Sequence, residues 1–244
     1  MSYGMNNNEL QQQNEPSVFT DKPIDQAYVA RYVTGVFGWM FLALSITAIT
    51  ALMVASNATA IGFLLGNKIA FFGLIIFQLV IVGYLSLRIE KMSSSTATAI
   101  FLVYSFITGL TFAVFFLAYS ASSLFLTFGI TAGTFGVMAA VGYFTKTDLT
   151  SFGKLLYMGL IGVIIASIVN FFMKSPMMYW IISYVGVGVF VGLIAYDTQK
   201  IKGYALLDSE EARKKGAIIG ALALYLDFIN LFIMLLRLFG KGRD

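Results

Sequence analysis

Seven stretches of about twenty apolar residues, separated by short polar breaks, dominate this 244-residue chain. That is the length an α-helix needs to cross the roughly 30 Å hydrocarbon layer of a bilayer. The stretches run over about 31–55, 69–88, 96–119, 122–145, 154–173, 177–197 and 216–237. None alternates apolar and polar residues with period two, so they read as helices rather than strands of a membrane barrel. The expected fold class is an all-α integral membrane protein of seven transmembrane helices over residues 31–240, preceded by a polar, disordered cytoplasmic tail over 1–30. Composition agrees: 59% of residues are hydrophobic and 11% charged, whereas a soluble domain carries about 25% charged residues. The polar N-terminal residues contain no apolar core or cleavage site and do not read as a signal peptide.

The absent residue types narrow the chemistry. The chain has no cysteine and no histidine. Disulfides, thiolate or imidazole metal sites, cysteine nucleophiles and histidine bases are therefore excluded. No basic patch with interleaved aromatics suggests nucleic acid. The chain does not read as an enzyme and calls for no cofactor; its expected environment is the lipid bilayer. The oligomeric state stays open.

The distribution of Lys and Arg sets the expected orientation. With seven spans, 11 of the 16 basic residues fall on the side of the N-terminus and 5 on the other. The N-terminus is therefore placed in the cytoplasm. Arg237, Lys241 and Arg243 run against this, and a re-entrant last segment would bring both ends to the cytoplasmic side. The one sizeable loop is expected at 198–215. Small-residue pairs at four-residue spacing (Gly129 and Gly133, Gly188 and Gly192, Gly216 and Gly220) are expected where helices pack closely.

An ionisable side chain inside a span is costly, by roughly 2.5–3.5 kcal/mol, and marks a functional site by default. Ten of the twelve acids fall in the tail, the loops or the C-terminus. Asp197, closing span six, and Asp227, inside span seven, remain. Three- and four-residue steps put Asp227 on a small, polar stripe with Gly216, Gly220, Ala223, Asn230 and Met234. The same spacing puts Asp197 with Ser183, Gly186, Phe190 and Leu193. Both carboxyls thus point inward from consecutive antiparallel helices. If they meet, they cannot both ionise cheaply and would share a proton, a pH-responsive latch without histidine. Arg88, closing span two on the same side as Asp197, is either their counter-charge or a boundary residue. Gln78, Thr108 and Asn170 read as hydrogen-bonding links between helices. Depth stands against the pair: at about 1.5 Å per residue, Asp197 lies near the cytoplasmic face, about 30 Å from the outer start of its span. Asp227 lies about 17 Å into a helix that starts at Gly216, so the two meet only if that helix begins nearer Ala221.

Several segments together resemble the Bax inhibitor-1 family, the transmembrane Bax-inhibitor-motif proteins, on its bacterial side. They are Ala195-Tyr196-Asp197-Thr198-Gln199-Lys200-Ile201-Lys202, Leu224-Tyr225-Leu226-Asp227-Phe228-Ile229-Asn230-Leu231-Phe232, Thr131-Ala132-Gly133-Thr134-Phe135 and the stretch from Gly142 to Leu149. The resemblance covers roughly 30–240. It implies seven helices with the C-terminal one central and wrapped by the others. It further implies a pH-sensitive calcium leak across the bacterial inner membrane. The family's paired aspartates correspond to Asp197 and Asp227, which would hold the transported calcium transiently, and its second-helix arginine to Arg88.

A second reading is a regulatory protein that binds a membrane-protein partner, such as a membrane protease or stress factor, through the tail and the 198–215 loop. An intramembrane aspartyl protease would need Gly-x-Gly-Asp where the chain has Leu224-Tyr225-Leu226-Asp227, and a Pro-Ala-Leu motif that it lacks. A retinal protein would need a lysine deep in span seven, and none is there.

Overall fold

The computed structural model describes residues 25–242. The chain forms eight α-helices among the described residues: α1 (Gln26–Ala55), α2 (Ala58–Gly66), α3 (Lys68–Arg88), α4 (Ser94–Ala118), α5 (Ala121–Phe144), α6 (Thr150–Met173), α7 (Pro176–Tyr204) and α8 (Glu210–Phe239). A 3-10 turn, Ile89–Lys91, follows α3. Seven helices are long and apolar enough to cross a membrane; α2, nine residues long, is the exception and was not expected from sequence. The fold is therefore the expected all-α membrane bundle.

Capping side chains explain most starts. Asp25, Asn57, Asn67, Ser93, Ser120, Ser175 and Ser209 each accept a backbone N–H from the first turn that follows, satisfying a donor the helix itself leaves unpaired. Two expected boundaries are corrected. Asp25 starts α1 at Gln26, so residues 26–30 are helical rather than part of a tail; the remainder of that tail, 1–24, lies outside the described residues. The expected 198–215 loop shrinks to 205–209, because α7 runs seven residues past Asp197 and α8 begins at Glu210. Hydropathy marks where a helix leaves lipid, not where it ends. Ser209 accepts the Ala212 N–H at 3.0 Å, Glu210 and Glu211 favour the N-terminal turn, and Glu210 pairs with Lys214 at 2.6 Å.

α8 is the most enclosed span. Buried residues make up 72% of its most apolar window, against 11% for α3 and for α6. It packs on α1, α4, α5 and α7, while α3 leans on α4 and α6 on α7. The Asp227 stripe points inward as expected, against α7, and a second face of α8 is enclosed as well: Leu224, Tyr225 and Leu231 are fully buried against other helices. A buried hydroxyl cluster ties this second face down. Tyr225 Oη and Thr47 Oγ1 are 2.7 Å apart, and Thr47 also donates to the Ser105 carbonyl at 2.8 Å. Gln78 links α3 to Thr111 of α4 at 3.2 Å; Asn170 instead accepts the Ser175 N–H in the turn after its own helix.

The small residues divide into two groups. A Cβ on Gly220 would lie 2.8 Å from Ile201, on Gly216 2.9 Å from Tyr204, and on Gly192 2.8 Å from Leu156. These glycines let α8 and α6 approach α7. Around Gly129, Gly133 and Gly188 there is nothing within 4 Å, so the first pair does not mediate packing within the chain. The C-terminal segment docks at the α4–α5 turn: Ser120 donates its N–H to the Lys241 carbonyl at 3.1 Å, and Lys241 donates to Ser123 Oγ at 2.8 Å. That turn is at the end of the bundle opposite the start of α1. α8 is unbroken, and a re-entrant last segment is not what forms.

Candidate functional site

The α7–α8 hairpin has an offset register, and that register brings the two aspartates together. Gly216 lies level with Tyr204, Gly220 with Ile201 and Gly186 with Met234. By this pairing Asp197 stands opposite Ala223 and Leu224, one helical turn from Asp227, or about 5 Å along the axis. Side chains on an α-helix lean toward its N-terminus. α7 and α8 are antiparallel, so Asp197 leans deeper into the bundle and Asp227 leans back toward the α7–α8 turn. The lean closes the one-turn gap, and the two carboxyls stand within hydrogen-bonding reach of each other. The depth objection fails because span six does not end at Asp197: Gly216 aligns with Tyr204, two turns beyond it.

Both carboxyls are enclosed, Asp197 4% and Asp227 5% exposed. Tyr157, on α6, donates its hydroxyl to Asp197 Oδ1 at 3.4 Å. Asp227 Oδ2 is buried without any hydrogen-bond partner, as is the neighbouring hydroxyl of Thr198. An unpaired carboxyl oxygen in a bundle interior is expensive. A cavity of about 840 Å³ adjoins the pair, and its lining includes Asp197, Asp227, Tyr157 and Lys200. The cavity reaches from the carboxyls to Ser209 and Glu211 at the α7–α8 turn, and to Glu90 after α3. It occupies the gap left where α3 and α6 stand back from α8. Beyond Asp227, toward the far end, Phe190, Leu231 and Met234 fill the bundle.

The mouth is held by side chains anchored across elements. Glu211 accepts the Ser94 N–H at 2.6 Å and the Ser94 hydroxyl at 2.9 Å, and Lys215 donates to the Glu90 carbonyl at 3.0 Å. These contacts tie the first turns of α8 to the α3–α4 connection. Of its two readings, counter-charge or boundary residue, Arg88 occupies the boundary position here. It is exposed at the end of α3, makes no ion pair among the described residues, and is not part of the cavity lining. The structure therefore brings Asp197 and Asp227 together and leaves Arg88 apart. Tyr157 and Lys200 were missed. Lys200 had a signal, a lysine three residues after Asp197 on the same helix; Tyr157 is one of thirteen tyrosines and had none.

The family model described as "Inhibitor of apoptosis-promoting Bax1" matches residues 29–244, which includes every helix bordering this cavity. The chain belongs to the Bax inhibitor-1 family. The inner membrane protein YbhL of Escherichia coli strain K12 is 47% identical over 221 residues, covering 89% of this chain and 94% of that protein. An uncharacterized protein of Borreliella burgdorferi is 44% identical, with 88% and 93% of the two chains covered. The uncharacterized protein RP147 of Rickettsia prowazekii is 40% identical, with 92% and 94% covered.

Among the described residues no group of three or more carboxylates, cysteines or histidines could hold a metal ion. Calcium prefers six to eight oxygens. Two carboxyls and one phenol supply fewer oxygens than that.

Proposed function

We propose that this Bax inhibitor-1 protein is a pH-sensitive cation leak, with calcium as the transported ion, gated by the Asp197–Asp227 pair. Its site of action is a bacterial inner membrane, with the N-terminus in the cytoplasm. The observation that supports this best is the meeting of two buried carboxyls at the blind end of a cavity, one oxygen of Asp227 being unpartnered. At about 30 Å³ per water, 840 Å³ has room for roughly 28 waters. A hydrated ion entering from the α7–α8 side meets the pair before it meets the apolar plug.

The gate follows from charge. Two neighbouring carboxyls share one proton, because two like charges at such short range, on side chains this enclosed, repel strongly. With the proton in place the pair holds α7 to α8. Loss of the proton sets two like charges against each other, and their separation loosens the same two helices whose packing closes the far end. The arginine role implied by the family resemblance would require the end of α3 to swing inward, since Arg88 stands outside the cavity here. The partner-binding reading loses much of its docking loop, because 198–204 and 210–215 are helix.

The test is calcium flux into liposomes holding the pure protein and an internal dye, from about pH 6 to 8, where a coupled carboxyl pair titrates. Wild-type flux should vary with pH, and Asp197→Asn and Asp227→Asn should each flatten that variation while the protein stays folded. Identical pH profiles for wild type and both variants would rule out the carboxylate gate. No flux from folded wild-type protein would rule out the leak.

A further inference from the structure

We propose that Lys200 is the built-in counter-ion of the carboxyl pair, the positioning residue that receives Asp197 when the shared proton leaves. The inference rests on the pair acting as the gate, as argued above, and concerns which cation the gate uses.

Lys200 follows Asp197 by three residues, so the two side chains are neighbours on one face of α7, with the acid on the N-terminal side as such pairs prefer. Both line the same cavity. The ammonium is not bonded to a carboxylate: it sits 5.8 Å from the Tyr196 ring centre and 5.9 Å from that of Tyr204. Its partners are neutral, two ring faces and the Tyr204 hydroxyl, so no other charge competes with Asp197, with which it already interacts electrostatically.

The other groups around Asp197 are committed or uncharged. From α6, Tyr157 donates a neutral hydroxyl. From α8, Asp227 is the partner carboxyl, Glu211 is engaged by Ser94, and Lys215 is engaged by the Glu90 carbonyl. From α5, the Tyr143 carbonyl holds Lys202 at 2.7 Å. On the α1 side, Tyr32 donates to the Arg213 carbonyl at 2.7 Å, and the Arg213 guanidinium donates to the Leu207 carbonyl at 2.7 Å. The Glu90 carboxylate lies at the mouth and carries the wrong sign. Arg88 lies outside the lining. Lys200 is the cation placed to follow the pair through its titration.

The experiment follows the carboxylic C=O stretch of the full-length protein in lipid by infrared difference spectroscopy between about pH 5 and 9. Exposed carboxylates are ionised over most of that range, so the signal reports the buried pair. Flux is measured in parallel. A cation beside a carboxylate favours its charged form by about one pH unit or more. Lys200→Gln should therefore move the midpoint about one pH unit toward alkaline, Lys200→Arg should restore it, and Lys202→Gln should leave it in place. An unmoved midpoint in Lys200→Gln, or a midpoint moved by Arg88→Gln instead, would overturn the assignment. The spectroscopic titration does not depend on transport. A shifted midpoint with no flux in any variant would therefore reject the leak and keep Lys200 as counter-ion.

Discussion

Gly142 on α5 packs directly against the backbone of α7, and replacing it with alanine should be among the most damaging single-methyl changes in the protein. A Cβ there would run into the Ala195 carbonyl oxygen of α7 and lie 2.8 Å from the Ala195 carbonyl carbon and Cα. An ordinary carbon–carbon contact needs about 3.5 Å or more, so the helices must part by at least about 0.7 Å. Overpacking costs about 1–3 kcal/mol when side chains can yield; here the obstacle is backbone, so about 3 kcal/mol is the appropriate end. Gly142 lies in the last turn of α5, so the helix-interior gain of alanine, at most about 1 kcal/mol, offsets only part of this and the net loss is at least about 2 kcal/mol. Gly136, two turns earlier on the same helix, has nothing within 4 Å of its added Cβ. Gly136→Ala should therefore gain up to about 1 kcal/mol, some 3 kcal/mol apart from its neighbour. Reversible unfolding in mixed detergent micelles measures both. Equal stability of the two variants would refute the close approach of α5 to α7. Ala195 is two residues from Asp197, so the same displacement should also disturb the carboxyl pair.

Tyr225→Phe removes the hydroxyl that meets Thr47 Oγ1 at 2.7 Å in a fully buried setting; the expected loss is about 1 kcal/mol in the same unfolding assay. Asp148 lies in the α5–α6 loop, where the Thr150 hydroxyl and then the Thr150 backbone N–H hold its carboxyl below the usual value of 3.8. A depressed carboxyl stabilises the fold above its unfolded pKa and loses that contribution as pH falls through the folded one. Asp148→Asn should thus narrow the difference in thermal midpoint between pH 7 and pH 3, and an unchanged difference would show that the Thr150 contacts are not made in solution.

Much of the candidate site is legible in the residues. Asp197 and Asp227 stand out because lipid makes an intramembrane carboxylate expensive, and helical spacing turns both inward. What spacing could not supply was register. Hydropathy ended span six at Asp197 and began span seven at Gly216, which left the acids at different depths. Charged turns such as Glu210-Glu211-Ala212-Arg213-Lys214-Lys215 are as helical as the apolar turns below them; only their solvent differs. Arg88 looked like a counter-charge because it shares an end of the bundle with Asp197, and position along a helix says nothing about which gap its side chain enters.

The sequence by itself determined the class of fold, the number of spans and the two buried acids. Each follows from one strong local rule: the apolar length needed to cross lipid, the need to pair every backbone group within it, and the penalty on charge. Only the tertiary structure decided that the acids touch, that Tyr157 and Lys200 share their cavity, and that Gly142 and Gly220 pack while Gly129 and Gly133 do not. Those outcomes depend on how helices slide and rotate against one another. That choice is made by the sum of many contacts across the bundle, none of them readable from neighbours along the chain.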